Sequence, residues 1–192
     1  GRANNRLTGG YVKSGDVESG FEAADIVVEG TFTTGFIEHA YIEPEAGFAR
    51  RVGDRIEVWA CTQAPYMDRN SLAEIMGISK NQVRIIPSSV GGGFGSKLDL
   101  SLQPFVAIAA WHLKQPVKMV YSRTESMLST TKRHPSSIQS RIGASKDGKI
   151  TAMTFAGTFN TGAYASWGPT VANRVPIHAC GPYRIENYLA ES

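Results

Sequence analysis

Alternating apolar and polar positions predict most of the strands in the chain. Residues 26–36 alternate β-branched and other side chains, which predicts a strand. Residues 46–50 and 55–60 flank Gly53-Asp54 and predict a β-hairpin that turns at this pair. Further strands are predicted at 83–86, at 117–121 (fully buried by its composition), and at 136–144 and 150–161, which are joined by a turn at 146–149.

Helical spacing of apolar residues predicts the remaining elements. One helix opens near Pro65, carries Leu72, Ile75 and Met76 on one face, and stops at Gly77. A short helix is predicted at 16–24, and a last helix at 170–179, where Pro176 would introduce a kink.

A buried helix is predicted between Leu100 and Leu113. Its expected core face consists of Leu102, Phe105, Val106, Ala109, Ala110 and Leu113. Since strands and helices follow one another without regular alternation, the order of elements predicts an α+β fold with mixed α/β character.

Composition places the chain among ordinary globular proteins. Its 192 residues are 42% hydrophobic and 19% charged, enough for one sizeable core or two small lobes. The net charge of +3 comes from scattered basic residues interleaved with acids, which argues against a nucleic-acid partner. No apolar run approaches the ~20 residues that span a membrane, so no membrane partner is expected. Cys61 and Cys180 lack metal-ligand spacing and are interpreted as buried free thiols, typical of a cytoplasmic protein.

The two ends of the sequence suggest how the chain is organised. Residues 1–15 are polar and glycine-rich, and we interpret them as a linker or peripheral arm, with one domain over residues 16–192. The sequence begins without methionine and ends without an obvious closing element, so we expect a piece of a larger protein. Apolar faces that the rest would cover are then available for self-association.

The most informative stretch is Gly91-Gly92-Gly93-Phe94-Gly95, which follows the predicted strand 83–86. Glycine lets backbone N–H groups approach a ligand closely, and successive N–H groups form an anion-binding concavity. The spacing fits neither the nucleotide P-loop nor the dinucleotide fingerprint. The stretch therefore indicates a phosphate or pyrophosphate on a sizeable cofactor, with a ligand-free glycine turn as the alternative.

Several motifs follow one another in a fixed order along the chain. They are Glu38-His39-Ala40-Tyr41-Ile42-Glu43-Pro44, Thr62-Gln63, Gly91-Gly92-Gly93-Phe94-Gly95-Ser96-Lys97, Arg133-His134-Pro135, and the stretches 173–178 and 183–187. In this order and spacing, from about Gly15 to the end, they resemble the molybdenum-binding subunit of the xanthine dehydrogenase and aldehyde oxidase family. The ordered set is far more specific than any one motif.

The resemblance implies a fold and a set of site residues. The chain would be the N-terminal part of a molybdopterin-binding domain, truncated before the second cofactor loop. Gln63 would lie beside the molybdenum as a catalytic and cofactor-binding residue. Gly92, Gly93, Phe94 and Gly95 would contact the molybdopterin through main-chain amides, and Arg174 would be catalytic by stabilising charge on the substrate.

The resemblance also implies an activity and partners. The parent would be an oxidoreductase that hydroxylates a purine, an N-heterocycle or an aldehyde with oxygen from water. Leu98 stands where the purine-oxidising animal enzymes carry a substrate-orienting glutamate, which argues against strict purine chemistry. The cofactor would be molybdenum-molybdopterin, expected as a dinucleotide, with iron–sulfur clusters and FAD on other domains or subunits. Because the family's general base lies downstream of Ser192, the chain alone is expected to be inactive.

Each of these assignments has a simpler alternative. Gln63 could bond free backbone amides at a helix start, and Arg174 could form a surface salt bridge. Glu38, His39 and Glu43 would not reach one face of a strand, so we assign no metal ligands. For the whole chain, the alternative is a degenerate or accessory binding module with the same fold and no redox chemistry.

Overall fold

The computed structural model describes residues 3–192, which form two compact units. The first comprises residues 3–37 and 134–192 and is called the five-stranded unit; the second, Glu38–Arg133, is called the four-stranded unit. In chain order the elements are β1 (Tyr11–Ser14), α1 (Val17–Glu22), β2 (Ile26–Thr34), β3 (Ala46–Val52), β4 (Arg55–Ala60), α2 (Pro65–Met76), β5 (Val83–Pro87), α3 (Gln103–Leu113), β6 (Val117–Val120), α4 (Arg123–Ser129), β7 (Ser136–Ala144), β8 (Ile150–Phe159), α5 (Gly168–His178) and β9 (Asn187–Glu191). Short 3₁₀ turns lie at Ala3–Asn5, Lys80–Gln82 and Ser96–Leu98.

The five-stranded unit is one mixed sheet with helices packed on it. Its strands run in the order β1-β9-β8-β7-β2, antiparallel except for the parallel pair β8 and β9. Val17 and Phe21 of α1 pack on Ala152 of β8. On β9, the Tyr188 hydroxyl donates a 2.7 Å hydrogen bond to the carbonyl of Pro176 in α5. The predicted strands 136–144 and 150–161 and the last helix are confirmed.

Strand β2 lies at one edge of this sheet and buries little of its apolar surface. Ile26, Val28 and Phe32 are each more than half exposed. The predicted strand itself is confirmed, because β2 pairs with β7 from Ile26 opposite Ala144 to Thr34 opposite Ser136.

The four-stranded unit holds the more extensive core. Its sheet has the order β5-β4-β3-β6, with the predicted hairpin β3–β4 antiparallel and β4–β5 parallel. Side chains from the sheet, α2 and α3 meet in this core: Ile56, Val58, Leu72, Val106 and Ala110 are all fully buried. Helix α2 begins at Pro65 and ends before Gly77, whose φ of +64° is the left-handed conformation that a glycine stop provides.

A buried polar contact joins α2 to α3. The Asp68 carboxylate accepts a 3.1 Å hydrogen bond from Nε2 of Gln103, and both side chains are almost completely buried. Burial raises the pKa of Asp68, because desolvation disfavours the charged carboxylate, although bonds from Thr62 and Gln103 act against it.

The expected core face of α3 is wrong in two of its six positions. Leu102, Val106 and Ala110 are buried, but Phe105 is 59% and Leu113 65% exposed. Ala107, which the pattern left out, is fully buried instead. The helix carries apolar residues on most sides, so their spacing fits more than one face. Only the sheet beneath it selects the face that is buried.

Three other expectations need correction. The strand at 117–121 is not fully buried, because β6 lies at the edge of its sheet and alternates half-buried and exposed residues. Residues 38–45 form no strand, so the alternation of side chains along a strand does not describe how Glu38, His39 and Glu43 are arranged. Both cysteines are free, as expected, but only Cys61 is buried and Cys180 is half-buried.

The sequence analysis missed β1, β9 and α4. The interpretation of residues 1–15 as a linker or peripheral arm stays a prediction; residues 1–2 lie outside the described part, and Tyr11–Ser14 is the edge strand β1, paired with β9. Helix α4 had a local signal, since the Ser122 side chain caps Glu125 N–H while Glu125 caps Ser122 N–H. Each helix of the described chain is too short or too polar for a bilayer crossing.

Leu102 and Leu113, near opposite ends of α3, give a matched test of the fold, because both were expected in the core and only Leu102 is buried. Leu102→Ala should lower the free energy of unfolding by about 2–5 kcal/mol, because Leu102 is 1% exposed and its loss leaves a cavity. Leu113→Ala should change it by less than about 0.5 kcal/mol, because that side chain is in solvent. Urea unfolding followed by tryptophan fluorescence measures both. Equal losses would contradict the observed face.

Candidate cofactor site

The candidate site lies at the carboxyl ends of two neighbouring parallel strands. Ala60 at the end of β4 is the ladder partner of Pro87 at the end of β5. Gln63 follows β4 on the way to α2, and the segment Gly91–Gly95, here called the glycine loop, follows β5 on the way to α3. Because parallel strands end at the same edge of a sheet, Gln63 and the glycine loop meet there.

Gln63 is bonded directly to the end of the glycine loop. Its Oε1 accepts hydrogen bonds from the backbone N–H groups of Gly95 (3.1 Å) and Lys97 (3.3 Å). Its own backbone N–H donates to the carbonyl of Lys97 at 2.9 Å. The structure therefore brings together Gln63 and the loop, which the sequence analysis singled out separately.

These two bonds also orient the Gln63 side chain. Because two N–H donors face Oε1, the amide nitrogen Nε2 is turned to the other side. Nε2 donates to no acceptor within residues 3–192, and the side chain is exposed. The alternative was that Gln63 bonds free backbone amides at the start of α2. Its Oε1 instead bonds the amides of Gly95 and Lys97, and the Ala64 N–H at the start of α2 donates to Oγ1 of Thr62 at 3.0 Å.

Close packing explains why glycine is needed in the loop. A Cβ on Gly93 would lie 2.4 Å from Oε1 of Gln63, so any side chain there would push Gln63 away. Gly92 and Gly95 both have a φ of +100°, a backbone conformation that other residues rarely adopt. Phe94 has a φ of +51° and is 64% exposed, which is an unusual, strained arrangement for a large residue.

Three consecutive amides of the loop are free. In the described part of the chain, the N–H groups of Gly92, Gly93 and Phe94 donate to no protein acceptor, whereas that of Gly95 bonds Gln63. Unpaired successive N–H groups attract anionic oxygen atoms. Three of the four predicted loop positions therefore present an amide without a partner in the described chain, and the binding of a cofactor by these four residues stays a prediction.

Lys97 and Glu43 lie beneath the loop, and the sequence analysis gave neither a role there. Lys97 Nζ donates to Oε2 of Glu43 (2.8 Å) and to the Glu43 carbonyl (2.9 Å), and its side chain is only 2% exposed. The same Oε2 accepts the Gly91 N–H at 2.8 Å. The Glu43 N–H in turn donates to the Gly91 carbonyl at 3.2 Å.

Tyr41 covers the other side of the buried ammonium group. Lys97 Nζ lies 4.6 Å from the centre of the Tyr41 ring, a distance that allows a cation–π contact. The Tyr41 hydroxyl donates to the buried carboxylate of Glu45. Burial and this bond to Glu45 raise the pKa of Tyr41, so the phenol stays protonated and remains a donor.

The environment of Glu43 stabilises its charged form. Burial alone raises the pKa of this carboxyl, but the bonds from Lys97 and from the Gly91 N–H, with the charge of Lys97, outweigh it. The pKa of Glu43 therefore lies below its usual range. Glu38 has a similar partner in Lys132, at 2.7 Å. These carboxylates are thus paired with lysines.

Arg174 and Leu98 complete the predicted residues. Arg174 lies on α5, in the five-stranded unit, where its side chain is exposed and pairs with no acid of the described chain. It is not among the residues that hold Gln63 and the loop, and its role stays a prediction. Leu98 is half-buried in the 3₁₀ turn that follows the loop.

Comparison with known proteins matches this architecture. The family described as the molybdopterin cofactor-binding domain matches residues 2–192. The chain is 43% identical, over 95% of its length, to the nicotinate dehydrogenase large molybdopterin subunit of Eubacterium barkeri, and 40% identical, over 97%, to a probable xanthine dehydrogenase subunit from Bacillus subtilis. It spans 43% and 25% of these two relatives. The aldehyde oxidoreductase of Desulfovibrio gigas superposes on 96% of the chain, covering 20% of that protein, with a TM-score of 0.85 at 26% identity.

The contact between Gly93 and Gln63 can be tested by one methyl group. Gly93→Ala should displace the Gln63 side chain and break its bonds to two amides, costing about 1–2 kcal/mol of stability. Gly35→Ala is the control, because a Cβ there meets nothing within 4 Å. Urea unfolding, with hydrogen exchange of the Gly95 amide, measures the effect. If the two variants behave alike, the contact is not stabilising.

The lowered pKa of Glu43 predicts a pH dependence. The unfolded chain protonates this carboxyl at a higher pH than the folded chain, so its contribution is complete at neutral pH and is lost as the pH falls through the folded pKa. Glu43→Gln should therefore be less stable than the wild type at neutral pH, and the gap should narrow in acid. Unfolding free energies across this range measure the gap. Glu74→Gln, an exposed carboxyl on α2, should leave it small throughout; a constant gap for Glu43→Gln would contradict the assignment.

Proposed function

The chain belongs to the molybdopterin cofactor-binding domain family, and from this premise we propose that it forms part of the cofactor site of a molybdenum hydroxylase. The observation that supports this most directly is the row of three unpaired amides at Gly92, Gly93 and Phe94, beside an amide side chain already oriented by the loop. The relatives named above are dehydrogenases and oxidoreductases, in keeping with such a reaction.

The residues present fit the cofactor. A molybdopterin carries phosphoryl oxygens, which are acceptors for backbone N–H groups. A Cβ at Gly93 would fill the space that the Gln63 side chain occupies. Gly92 and Gly95 adopt their positive φ values without strain, because glycine has no Cβ. We assign Gly92, Gly93 and Phe94 to hold the cofactor through their amides. Gly95 contributes by fixing Gln63, since its amide is already bonded.

In the reaction, the bound cofactor supplies the two-electron redox chemistry, and the protein positions and surrounds it. Gln63 offers Nε2 as a neutral hydrogen-bond donor whose direction is set by the two bonds to Oε1. A neutral amide binds an acceptor oxygen without adding charge to the site. The exposed ring of Phe94 provides an apolar wall next to the free amides.

For the substrate, we propose a purine, another N-heterocycle or an aldehyde, which is hydroxylated with oxygen from water. The named activities of the relatives, on nicotinate, xanthine and aldehydes, support this class. Leu98 offers no acidic group to orient a purine, which favours other N-heterocycles or aldehydes. Arg174 is proposed to stabilise negative charge on the substrate. Iron–sulfur and flavin domains or subunits are the proposed electron-transfer partners, and self-association through exposed apolar surface such as β2 is a further proposal.

Metal analysis of the longer natural protein tests this function. Purified with its partner subunits from cells that make the cofactor, it should contain near-stoichiometric molybdenum together with iron, measured by inductively coupled plasma mass spectrometry. Gly93→Ala should reduce the molybdenum content, while Gly35→Ala should preserve it. The isolated chain should lose molybdenum during gel filtration. Wild-type protein without molybdenum would instead indicate a binding module with no redox chemistry.

A further inference from the structure

Glycine loops that bind phosphates often end in a lysine whose ammonium group contacts the anion. Here the ammonium group of Lys97, the lysine that follows the loop, is already bonded within the protein. Lys97 is buried, is bonded twice to Glu43 and is covered by the ring of Tyr41. Its charge is therefore neutralised beneath the loop.

We propose that Lys97 and Glu43 are positioning residues, which set the direction of the free amides of Gly92–Phe94 without touching the ligand. This inference rests on the proposed function for the identity of the ligand, a group with phosphoryl oxygens. The contacts that Glu43 and Lys97 make with each other and with the loop are present in the structure whatever the identity of the ligand.

The two residues connect both ends of the loop through one atom. Oε2 of Glu43 accepts the N–H of Gly91, where the loop begins, and the ammonium group of Lys97, just after it ends. Both bonds are 2.8 Å long. Glu43 thereby links Gly91 to Lys97, and the five residues between them, 92–96, include the three free amides.

Close backbone contacts add to this constraint. A Cβ on Gly91 would lie 2.5 Å from Cβ of Glu43, so the loop passes directly against that residue. The backbone N–H of Glu43 also donates a 3.2 Å hydrogen bond to the carbonyl of Gly91. On the opposite side, Gln63 holds the N–H groups of Gly95 and Lys97. The free amides of Gly92, Gly93 and Phe94 lie between these two sets of bonds along the chain.

Positioning and direct charge attraction predict opposite effects of Glu43→Gln. This change removes a negative charge near the loop and leaves the Lys97 ammonium unpaired, so simple electrostatics predicts tighter anion binding. Positioning predicts weaker binding, because the link between the loop ends is loosened. Glu43→Asp keeps the charge but is one methylene shorter, so positioning predicts a loss and electrostatics predicts none.

The experiment is an NMR titration of the ¹⁵N-labelled chain with inorganic pyrophosphate, following the amides of Gly92, Gly93 and Phe94. The wild type should show saturable shifts of these three amides. Glu43→Gln, Glu43→Asp and Lys97→Met should each raise the dissociation constant by about tenfold or more. In these variants part of the binding free energy is consumed in ordering the loop. Glu74→Gln and Lys118→Met make the same chemical changes at exposed positions and should leave it unchanged.

Hydrogen exchange without ligand separates this inference from the proposed function. In Glu43→Gln and Lys97→Met, the Gly91 amide should exchange about tenfold faster or more, while amides of the five-stranded unit keep their wild-type rates and report correct folding. Unchanged exchange, or tighter pyrophosphate binding by Glu43→Gln, would overturn the positioning role. If exchange accelerates but the wild type does not respond to pyrophosphate, the positioning role stands and the assignment of the ligand falls.

Discussion

The geometry of the site depends on a loop that is held from both sides while its middle stays unpaired. Gln63 bonds the amides at the end of the loop, and the Glu43 carboxylate joins its beginning to Lys97. Backbone amides usually find a partner within the protein, so three adjacent free ones are costly unless solvent or a ligand meets them. The surrounding bonds keep that arrangement in place. Phe94 between them has a φ of +51°, and such a conformation persists only where the surrounding structure holds it.

The four-stranded sheet decides where this loop stands. β4 and β5 are parallel neighbours, so both strands end at the same edge of the sheet. Gln63 follows the end of β4, and the glycine loop follows the end of β5. The core formed by Ile56, Val58 and Leu72 fixes the sheet against α2, and the bond between Asp68 and Gln103 fixes α2 to α3. Gln63 and the glycine loop therefore sit on rigid supports at both ends, which a site that binds a large cofactor requires.

Local signals in the sequence were sufficient for part of this picture. The Gly53-Asp54 turn, the proline and glycine that bound α2, and the glycine-rich segment each act through their own backbone preferences, and these elements form as predicted. The buried position of Lys97, the exposure of Phe105 and the pairing of β9 depend on residues far away along the chain. Periodicity carries no information about such partners. The motif order that pointed to the family agrees with the match over residues 2–192.

The central claim is that the free amides of the glycine loop face the cofactor. A crystal structure of the longer natural protein with its cofactor bound measures this directly. The account predicts amide nitrogens of Gly92, Gly93 and Phe94 within about 3.2 Å of cofactor oxygens, with Gln63 still bonded to Gly95 and Lys97 still bonded to Glu43. A cofactor bound away from these amides, or contacted by the Lys97 ammonium group in a rearranged loop, would contradict it.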